Sequence, residues 1–198
     1  ILTAGYPGQQ GGNAIADVLF GDYNPAGRLP ITYYKSVDQL PAFENYDMKG
    51  RTYRYFKQEP LYPFGFGLSY TTFKYSNIKV PSQINSEKDF EVSVDVTNTG
   101  DRDGDEVVQL YLTDENASTP RPIRQLEGFE RINLKKGETK TVSFTIKARQ
   151  LSIINKKSQR VMEPGWFTVS VGGKQPDSFN DNLTRRFKFT GKTVLFEN

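Results

Sequence analysis

The feature that most constrains the fold is a regular alternation of apolar and polar residues from about Lys74 onward. Every second residue is apolar in five separate runs, at residues 90–96, 108–112, 142–146, 167–171 and 187–189. A period of two is that of a half-buried strand, whose successive side chains point to opposite faces of a sheet. Short runs of this kind with turn residues between them predict an antiparallel β-sandwich.

The expected architecture is therefore mainly β, an immunoglobulin-like sandwich of about seven strands. The apolar residue in the middle of a run should lie in the core. This places four side chains there, Val94, Leu110, Phe144 and Val169.

The first 22 residues have a different pattern, that of the end of an α/β domain. Residues 1–6 are predicted to form a short strand, and a Pro- and Gly-rich turn leads to a helix capped by Asn13 and ended by Gly21. The apolar face of this helix comprises Ala14, Ile15, Val18 and Leu19. One strand and one helix cannot cover each other's apolar faces. Together with a first residue that is not methionine, this leads us to expect a truncated fragment.

Residues 31–34 are strand-like, and residues 51–73 are rich in aromatics, glycine and proline without a steady period. Aromatic residues are uncommon in flexible linkers, so residues 51–73 are predicted to be an ordered connector. The predicted organisation is a C-terminal remnant of an α/β-sandwich domain at 1–50, the connector at 51–73 and the β-sandwich at 74–198.

Composition excludes several kinds of chemistry. The chain has no histidine and no cysteine, which removes Ser-His-Asp and Cys-His catalysis and every His-based metal site. A net charge of +3 with mixed signs does not indicate a nucleic-acid partner. No apolar run reaches the ~18 residues that would indicate a membrane helix.

Several sequence blocks resemble family 3 glycoside hydrolases, the β-glucosidases and β-xylosidases. NTG, GDEVVQLY, RPIRQLEGF, LKKGET and EPGWFTVSVG, between residues 98 and 172, resemble the fibronectin type III-like domain that ends many members. Residues 6–34 resemble the last βα segment of the family's α/β-sandwich domain, and GRTYRYF with PLYPFGFGLSYTTF resembles the connector between the two.

The resemblance implies a retaining mechanism, with two carboxylates about 5–5.5 Å apart. In the family both catalytic carboxylates lie upstream of the segment matched here, so no catalytic residue is assigned to this chain and no cofactor is expected. The chain is expected to be inactive alone. Its implied role is a non-catalytic C-terminal scaffold of an exo-acting retaining β-glycosidase that removes terminal sugars from plant-type oligosaccharides.

The resemblance also implies partners and a location. The partners are the catalytic barrel and α/β domain of the same protein and its oligosaccharide substrate, with no nucleic acid and no membrane. The isolated chain is expected either to self-associate through residues 1–73, whose apolar surface is uncovered, or to have that segment disordered and refolded onto the sandwich. A periplasmic or secreted bacterial protein is expected.

Five side chains are candidates for facing the sugar cleft or a domain interface. They are Gln9, Gln10, Arg51, Tyr53 and Tyr55. Gly8, Gly11 and Gly12 before a helix suggest a phosphate loop, but the spacing matches no phosphate-binding motif, and a tight turn is the favoured interpretation.

The acidic cluster near Gly104 has three interpretations. Asp103 and Asp105 are a carboxylate pair, and with Asp101 and Glu106 they form a loose candidate for Ca²⁺ without the distant Glu of an EF-hand. The favoured interpretation is a solvated turn.

The aromatic residues of the connector can stack on sugars or be buried at an interface, and burial is favoured. They are Tyr53, Tyr55, Phe56, Tyr62, Phe64, Phe66 and Tyr70. Trp166 is expected at a rim, because it faces away from Phe167.

Two other functions remain open. One is a carbohydrate-binding module, which predicts a line of exposed aromatics on one sandwich face. The other is a protein-binding module, which residues 1–34 argue against because an independent module would not carry half an α/β unit.

Overall fold

The computed structural model of the protein describes residues 2–176 and 182–197. Two helices, α1 (Gly11–Phe20) and α2 (Thr52–Tyr55), lie in the N-terminal third, and 3-10 turns occupy Val37–Gln39 and Ala148–Leu151. The strands are β1 (Phe73–Lys79), β2 (Gln83–Ile84), β3 (Phe90–Asn98), β4 (Gly104–Asp114), β5 (Gln125–Leu134), β6 (Thr139–Ile146), β7 (Ile153–Ile154), β8 (Arg160–Met162), β9 (Gly165–Gly172), β10 (Leu183–Phe189) and β11 (Val194–Phe196).

The strands form a sandwich of two sheets. One sheet has the order β1-β3-β6 and the other β2-β10-β9-β4-β5, while β11, β8 and β7 form a small third sheet. Neighbouring strands are antiparallel except for the short parallel pair β2–β10. Within the described ranges, seven strands have seven residues or more. The predicted mainly β, immunoglobulin-like fold is confirmed.

The core lies between the two large sheets, as the alternation predicts. Val94, Leu110 and Val169 are completely buried, and Phe144 is 9% exposed. Their neighbours at every second position, such as Val92, Val108, Ile146, Val171 and Phe187, complete the same cluster. All four predicted core positions are confirmed, because the period of two fixes which face each side chain occupies.

The N-terminal predictions were only partly correct. Residues 2–6 form no strand, and the exposed segment has no neighbouring strand to complete a ladder of hydrogen bonds. Ile1 lies outside the described residues. Residues 31–34 contribute only the isolated bridge Tyr33–Tyr62.

The helix α1 begins earlier than predicted, with Gln10 rather than Asn13 as its N-cap. The Gly11 N–H already donates to the Gly8 carbonyl, so the turn starts before Asn13, whose side chain instead donates to Gln10 Oε1. Gly21 ends the helix in the left-handed conformation, at φ 87°, as predicted.

The predicted domain boundaries stay a prediction. Strand β1 begins at Phe73, close to the expected start of the sandwich. We call residues 2–72 the N-terminal segment, and residues 73–176 with 182–197 the sandwich. None of the helices in the described ranges has the length and apolar character needed to span a bilayer.

Candidate functional site

Strand β4 is buried on both faces, which marks the surface where the N-terminal segment packs on the sandwich. Leu110 points into the core, whereas Gln109 and Tyr111 point to the outer face of the five-stranded sheet. Gln109 is 3% and Tyr111 1% exposed. An outer face buried to this extent needs a covering layer, and the connector supplies it. We call this surface the junction.

Aromatic side chains make the apolar part of the junction. Tyr53 stacks on Phe64 with ring centroids 4.1 Å apart and meets the ring of Tyr111 edge-on at 6.1 Å. The backbone N–H of Leu126 donates to the Tyr53 hydroxyl at 3.2 Å. Tyr53 can therefore be buried favourably, because its ring stacks on another ring and its hydroxyl has a hydrogen-bond partner.

Gln109 supplies a polar anchor beside these rings. Its amide nitrogen donates to the carbonyls of Gly65 and Gly173, at 3.1 and 2.7 Å, and its oxygen accepts from the Tyr111 hydroxyl at 2.6 Å. Gly65 has a φ of 77°, and a Cβ there would overlap the Gln109 amide. Only glycine satisfies both the backbone conformation and this close approach.

A buried ion pair joins Arg28 of the N-terminal segment to Glu106 of β4. Arg28 Nη2 lies 2.8 Å from Glu106 Oε2, and the two side chains are 10% and 4% exposed. The Tyr75 hydroxyl donates to the other carboxylate oxygen at 2.9 Å. Burial raises the pKa of Glu106 above its ordinary value, and the Arg28 charge opposes that rise. Burial and the Glu106 carboxylate raise the pKa of Tyr75.

Two asparagines fix the start of the sandwich. Asn24 donates to the Asp103 carbonyl at 2.9 Å and accepts from the Ser69 hydroxyl and the Tyr70 N–H. Asn98, fully buried, accepts from Thr71 Oγ1 and donates to the Leu134 carbonyl. Each asparagine thus hydrogen-bonds to groups on both sides of the junction, and the buried Asn98 has partners for both its donor and its acceptor, as buried polar groups require.

Helix α2 is hydrogen-bonded to the loop before β5 and to the first residue of β5. Arg54 Nη2 donates to Gln125 Oε1 at 2.6 Å, and the Ile123 N–H donates to the Arg54 carbonyl at 2.7 Å. The junction is therefore held by backbone and side-chain hydrogen bonds at both of its ends.

The five predicted site residues lie in three separate places. Gln9 and Gln10 are exposed in the turn before α1. The Arg51 guanidinium donates to the carbonyls of Ala42, Asn45 and Asp47 and so shapes the loop that precedes it.

Tyr53 belongs to the junction, and Tyr55 is half-buried in α2. That any of these five side chains faces a sugar cleft stays a prediction.

The acidic cluster is engaged in structural contacts. Asp105 accepts from Arg131 Nε and Asn133 Nδ2, both at 2.7 Å. Partial burial acts to raise the pKa of Asp105, but these hydrogen bonds and the Arg131 charge lower it overall. Glu106 points to the interior instead. Among residues 2–176 and 182–197, no three acidic side chains come together in a group that would hold a metal ion.

The other candidates follow the favoured interpretations. The Gly8 to Gly12 segment is a turn closed by its own backbone, and of the seven connector aromatics only Tyr70 is exposed. Trp166 is 37% exposed, whereas Phe167 is 1% exposed, and the Arg186 guanidinium lies 4.5 Å from the Trp166 ring. Six of the seven connector aromatics are therefore at least partly buried, and Trp166 is partly exposed.

Sequence reasoning missed Arg28, Asn24 and Gln109. One signal was available, since Glu106 falls in register with Val108 and Leu110 on the core side of β4. A carboxylate at a core position needs a cationic or hydrogen-bonding partner. The identity of that partner, 78 residues away in the sequence, is not encoded in any local pattern.

Two family models match the chain. Residues 1–70 match the glycosyl hydrolase family 3 C-terminal domain, and residues 106–175 match the fibronectin type III-like domain. The junction thus joins one matched region to the other.

Curated relatives agree with both matches. The chain is 49% identical over 186 residues to a periplasmic beta-glucosidase of Salmonella typhimurium, covering 87% of this chain and 24% of the relative. It is 48% identical over 178 residues to a beta-xylosidase of Formosa agariphila, and this match covers 87% of this chain and 25% of the relative. The chain therefore spans about a quarter of the length of these relatives.

A solved structure shows the same fold. The beta-glucosidase of Kluyveromyces marxianus in complex with glucose is 36% identical, with a TM-score of 0.80 over 94% of this chain and 24% of that one.

Proposed function

The chain belongs to glycosyl hydrolase family 3, and we propose that it is the non-catalytic C-terminal scaffold of an exo-acting retaining β-glycosidase. In this role the sandwich fixes the N-terminal segment, and that segment in turn carries the catalytic part of the enzyme. Small displacements of catalytic groups are costly in rate, so a rigid support contributes to catalysis without touching the substrate.

The observation that carries this proposal is that the N-terminal segment is bound to the sandwich and yet leaves large apolar side chains exposed. It contacts the sandwich through Arg28, through Tyr53 and through the Gly65 carbonyl, which accepts from Gln109. Its exposed apolar side chains include Leu19 at 64%, Phe20 at 84%, Val37 at 79%, Phe43 at 89% and Tyr46 at 89%. Exposed apolar patches mark interaction surfaces. We propose that the α/β domain and barrel of the same protein cover these side chains.

The substrate class follows from the relatives. The names of the matched proteins, beta-glucosidase and beta-xylosidase, support a terminal β-linked glucose or xylose as the sugar removed from plant-type oligosaccharides. The periplasmic name of the Salmonella protein supports a periplasmic or secreted location. We further propose that none of the carboxylates in this chain acts in catalysis, in keeping with the structural contacts of Asp105 and Glu106.

A chimera tests the scaffold role. This chain would replace the matching quarter of the Salmonella relative, and hydrolysis of aryl β-glucoside and β-xyloside would be measured. We expect the chimera to be active and the 198-residue chain alone to stay at the buffer rate. In the chimera, Phe20→Glu should lower kcat severalfold, whereas Phe129→Glu, an exposed control on β5, should not. Turnover by the repurified chain alone would refute the proposal.

A carbohydrate-binding module is the second candidate, and the surface of the sandwich does not favour it. Among the described residues of the long strands, the aromatics that are exposed are Phe129 on β5 and Trp166 on β9. Two side chains on strands separated by β4 make no continuous line for a polysaccharide. Arg186 also lies over the face of the Trp166 ring.

A further inference from the structure

The chain has one long stretch without acidic residues, which the scaffold role does not use. Residues 139–162 contain six lysines and arginines and no aspartate or glutamate, although the whole chain has 26 cations and 23 acids. The later part of this stretch forms the 3-10 turn Ala148–Leu151 and strands β7 and β8, and β11 completes the small third sheet with them. We call residues 147–162 together with β11 the basic lobe.

The turn between β7 and β8 carries two lysines. Asn155 organises this turn, since its N–H donates to the Gln159 carbonyl, and its side-chain oxygen accepts from the N–H groups of Lys157 and Gln159. Lys156 and Lys157 are both exposed, and the ion pairs within the described ranges all involve other residues. The shape of the turn therefore does not depend on either ammonium group.

Two arginines extend the positive charge across the basic lobe. Arg160 Nη1 donates to Ser152 Oγ at 3.1 Å, and Arg149 Nη1 donates to the backbone carbonyl of Glu197 at 3.5 Å. Both acceptors are neutral oxygens, so neither contact cancels the charge of its arginine. The two arginines and two lysines outnumber the acidic residues that directly follow β8 and β11, which are Glu163 and Glu197.

A row of three side chains crosses the outer face of the small third sheet. Ile154 of β7 and Phe196 of β11 are the partners of Arg160 in β8, and directly opposed residues of antiparallel strands share a face. Ile154 is 50% exposed and Phe196 is half-buried. In the next row, Ile153 and Val161 are 7% and 4% exposed and face the interior. The outer row thus sets a guanidinium between two apolar side chains.

The exposed aliphatic side chains of the basic lobe lie on opposite faces of this sheet. Leu195 is 57% exposed and is the partner of Val161, whose row faces away from that of Ile154. A segment that binds a membrane surface needs one continuous apolar face. The basic lobe is therefore better suited to a hydrated polymer than to lipid.

From this arrangement we propose that the basic lobe binds a polysaccharide that carries carboxylate groups, such as a polyuronate or a uronate-substituted xylan. The carboxylates pair with the two lysines and two arginines, and C–H groups of the sugar rings pack on Ile154 and Phe196. Charges spread over an open surface suit an extended polymer, whereas a small ligand binds in a cavity.

The choice of a saccharide among polyanions rests on membership of glycosyl hydrolase family 3 and not on the scaffold role, so the two proposals can fail separately. Recognition here is by charge. It therefore differs from the line of exposed aromatics that a module for neutral polysaccharides requires.

The test is affinity electrophoresis of the full 198-residue chain through gels that contain polygalacturonate, glucuronoxylan or neutral arabinoxylan. We expect both acidic polymers to retard the chain at about 0.02 M salt and to release it at about 0.5 M, because salt screens exposed charges. Lys156→Glu with Lys157→Glu should weaken the binding about tenfold or more.

The matched control is Lys135→Glu with Lys136→Glu. It makes the same change in net charge, also at two consecutive exposed lysines in a turn between strands, but at the opposite end of β6 from the basic lobe. It should weaken binding less than about twofold. The fluorescence of Trp166 shows whether each variant is folded.

Four results would overturn the proposal. They are no retardation by either acidic polymer, equal retardation by neutral arabinoxylan, equal losses in the two double variants, and stronger binding to phosphatidylglycerol vesicles than to either polymer. Equal losses would mean that net charge alone drives binding, and the vesicle result would make the partner a lipid surface. If Lys156→Glu with Lys157→Glu does not fold, Lys156→Gln with Lys157→Gln carries the same expectation with a smaller loss.

Discussion

Arg28 Nη2 and Glu106 Oε2 lie 2.8 Å apart in the interior although 78 residues separate them in sequence. The pair joins a region that matches the glycosyl hydrolase family 3 C-terminal domain to the first residue of the region that matches the fibronectin type III-like domain. Burying either charged side chain without its partner would cost several kcal/mol or so of folding free energy. The pair therefore couples the folding of the two regions.

Arg28→Met should lower the free energy of unfolding by about 3–5 kcal/mol at neutral pH, because it leaves the Glu106 carboxylate buried without its cation. Replacing both residues, as Arg28→Met with Glu106→Leu, should recover most of that loss. Urea denaturation measures both. The exposed pair Lys35–Glu59 is the control, and Lys35→Met should cost less than about 1 kcal/mol.

The loss in Arg28→Met should also depend on pH. The pKa of Glu106 is raised in the folded state, so its protonated form is the one that folding favours. The contribution of protonated Glu106 to the free energy of unfolding is therefore present below the ordinary carboxyl pKa. It is lost as the pH rises through the raised pKa. The deficit of Arg28→Met should therefore shrink on acidification. A deficit that is constant from neutral to acidic pH would contradict a buried ionised carboxylate.

Phe144→Ala should cost about 3–5 kcal/mol, because Phe144 fills the core between the sheets. Gly128 of β5, in the facing sheet, packs directly against its ring, since a Cβ there would lie 2.8 Å from a ring carbon. Phe129→Ala, at a side chain 69% exposed, should change stability by less than about 0.5 kcal/mol. An equal loss of unfolding free energy in Phe144→Ala and Phe129→Ala would contradict a core position for Phe144.

Gly65→Ala and Gly137→Ala separate backbone strain from close packing. Both glycines have a φ of 77°, but a Cβ at Gly137 meets open space, whereas one at Gly65 meets the Gln109 amide. Gly137→Ala should cost about 1–2 kcal/mol for the backbone alone. Gly65→Ala should cost a further 1–3 kcal/mol or so, from overpacking. Thermal unfolding of both variants measures the difference, and equal losses would show that the junction yields easily.

Glu115 should support stability only above acidic pH. A hydrogen bond from Arg186 lowers its pKa from the ordinary 4.5 in the folded state. The stabilisation is therefore present above 4.5 and is lost as the pH falls through the lowered value.

The fluorescence of Trp166, which is the only tryptophan, reports unfolding of the sandwich. The denaturation midpoints of the parent chain and Glu115→Gln should differ near neutral pH and converge as the pH falls below the lowered pKa of Glu115. A difference between the two midpoints that grows on acidification would contradict a lowered pKa for Glu115.

The isolated chain should self-associate in a concentration-dependent way through its exposed N-terminal apolar surface. Light scattering measures this, and the double variant Leu19→Lys with Phe20→Lys should reduce it because charge opposes apolar contact. Phe129→Lys serves as a control on the sandwich. A strictly monomeric chain with a protease-resistant N-terminal segment would mean that the surface needs no cover.

The sequence alone determined the sandwich. Period-two alternation decides which face a side chain occupies, and Val94, Leu110, Phe144 and Val169 are buried as predicted. It also determined the glycine that ends α1, since that conformation depends on one residue type. These are local relationships, and a local pattern is sufficient to predict them.

Only the tertiary structure decided how the N-terminal segment meets the sandwich. A strand was predicted at residues 1–6, but residues 2–6 form none, because no strand of the described ranges pairs with them. The contacts of Arg28 with Glu106, of Gln109 with Gly65 and of Tyr53 with Phe64 likewise depend on where distant parts of the chain come to lie. A buried polar group needs a hydrogen-bonding or charged partner. The sequence near that group does not say which distant residue the fold will bring to it.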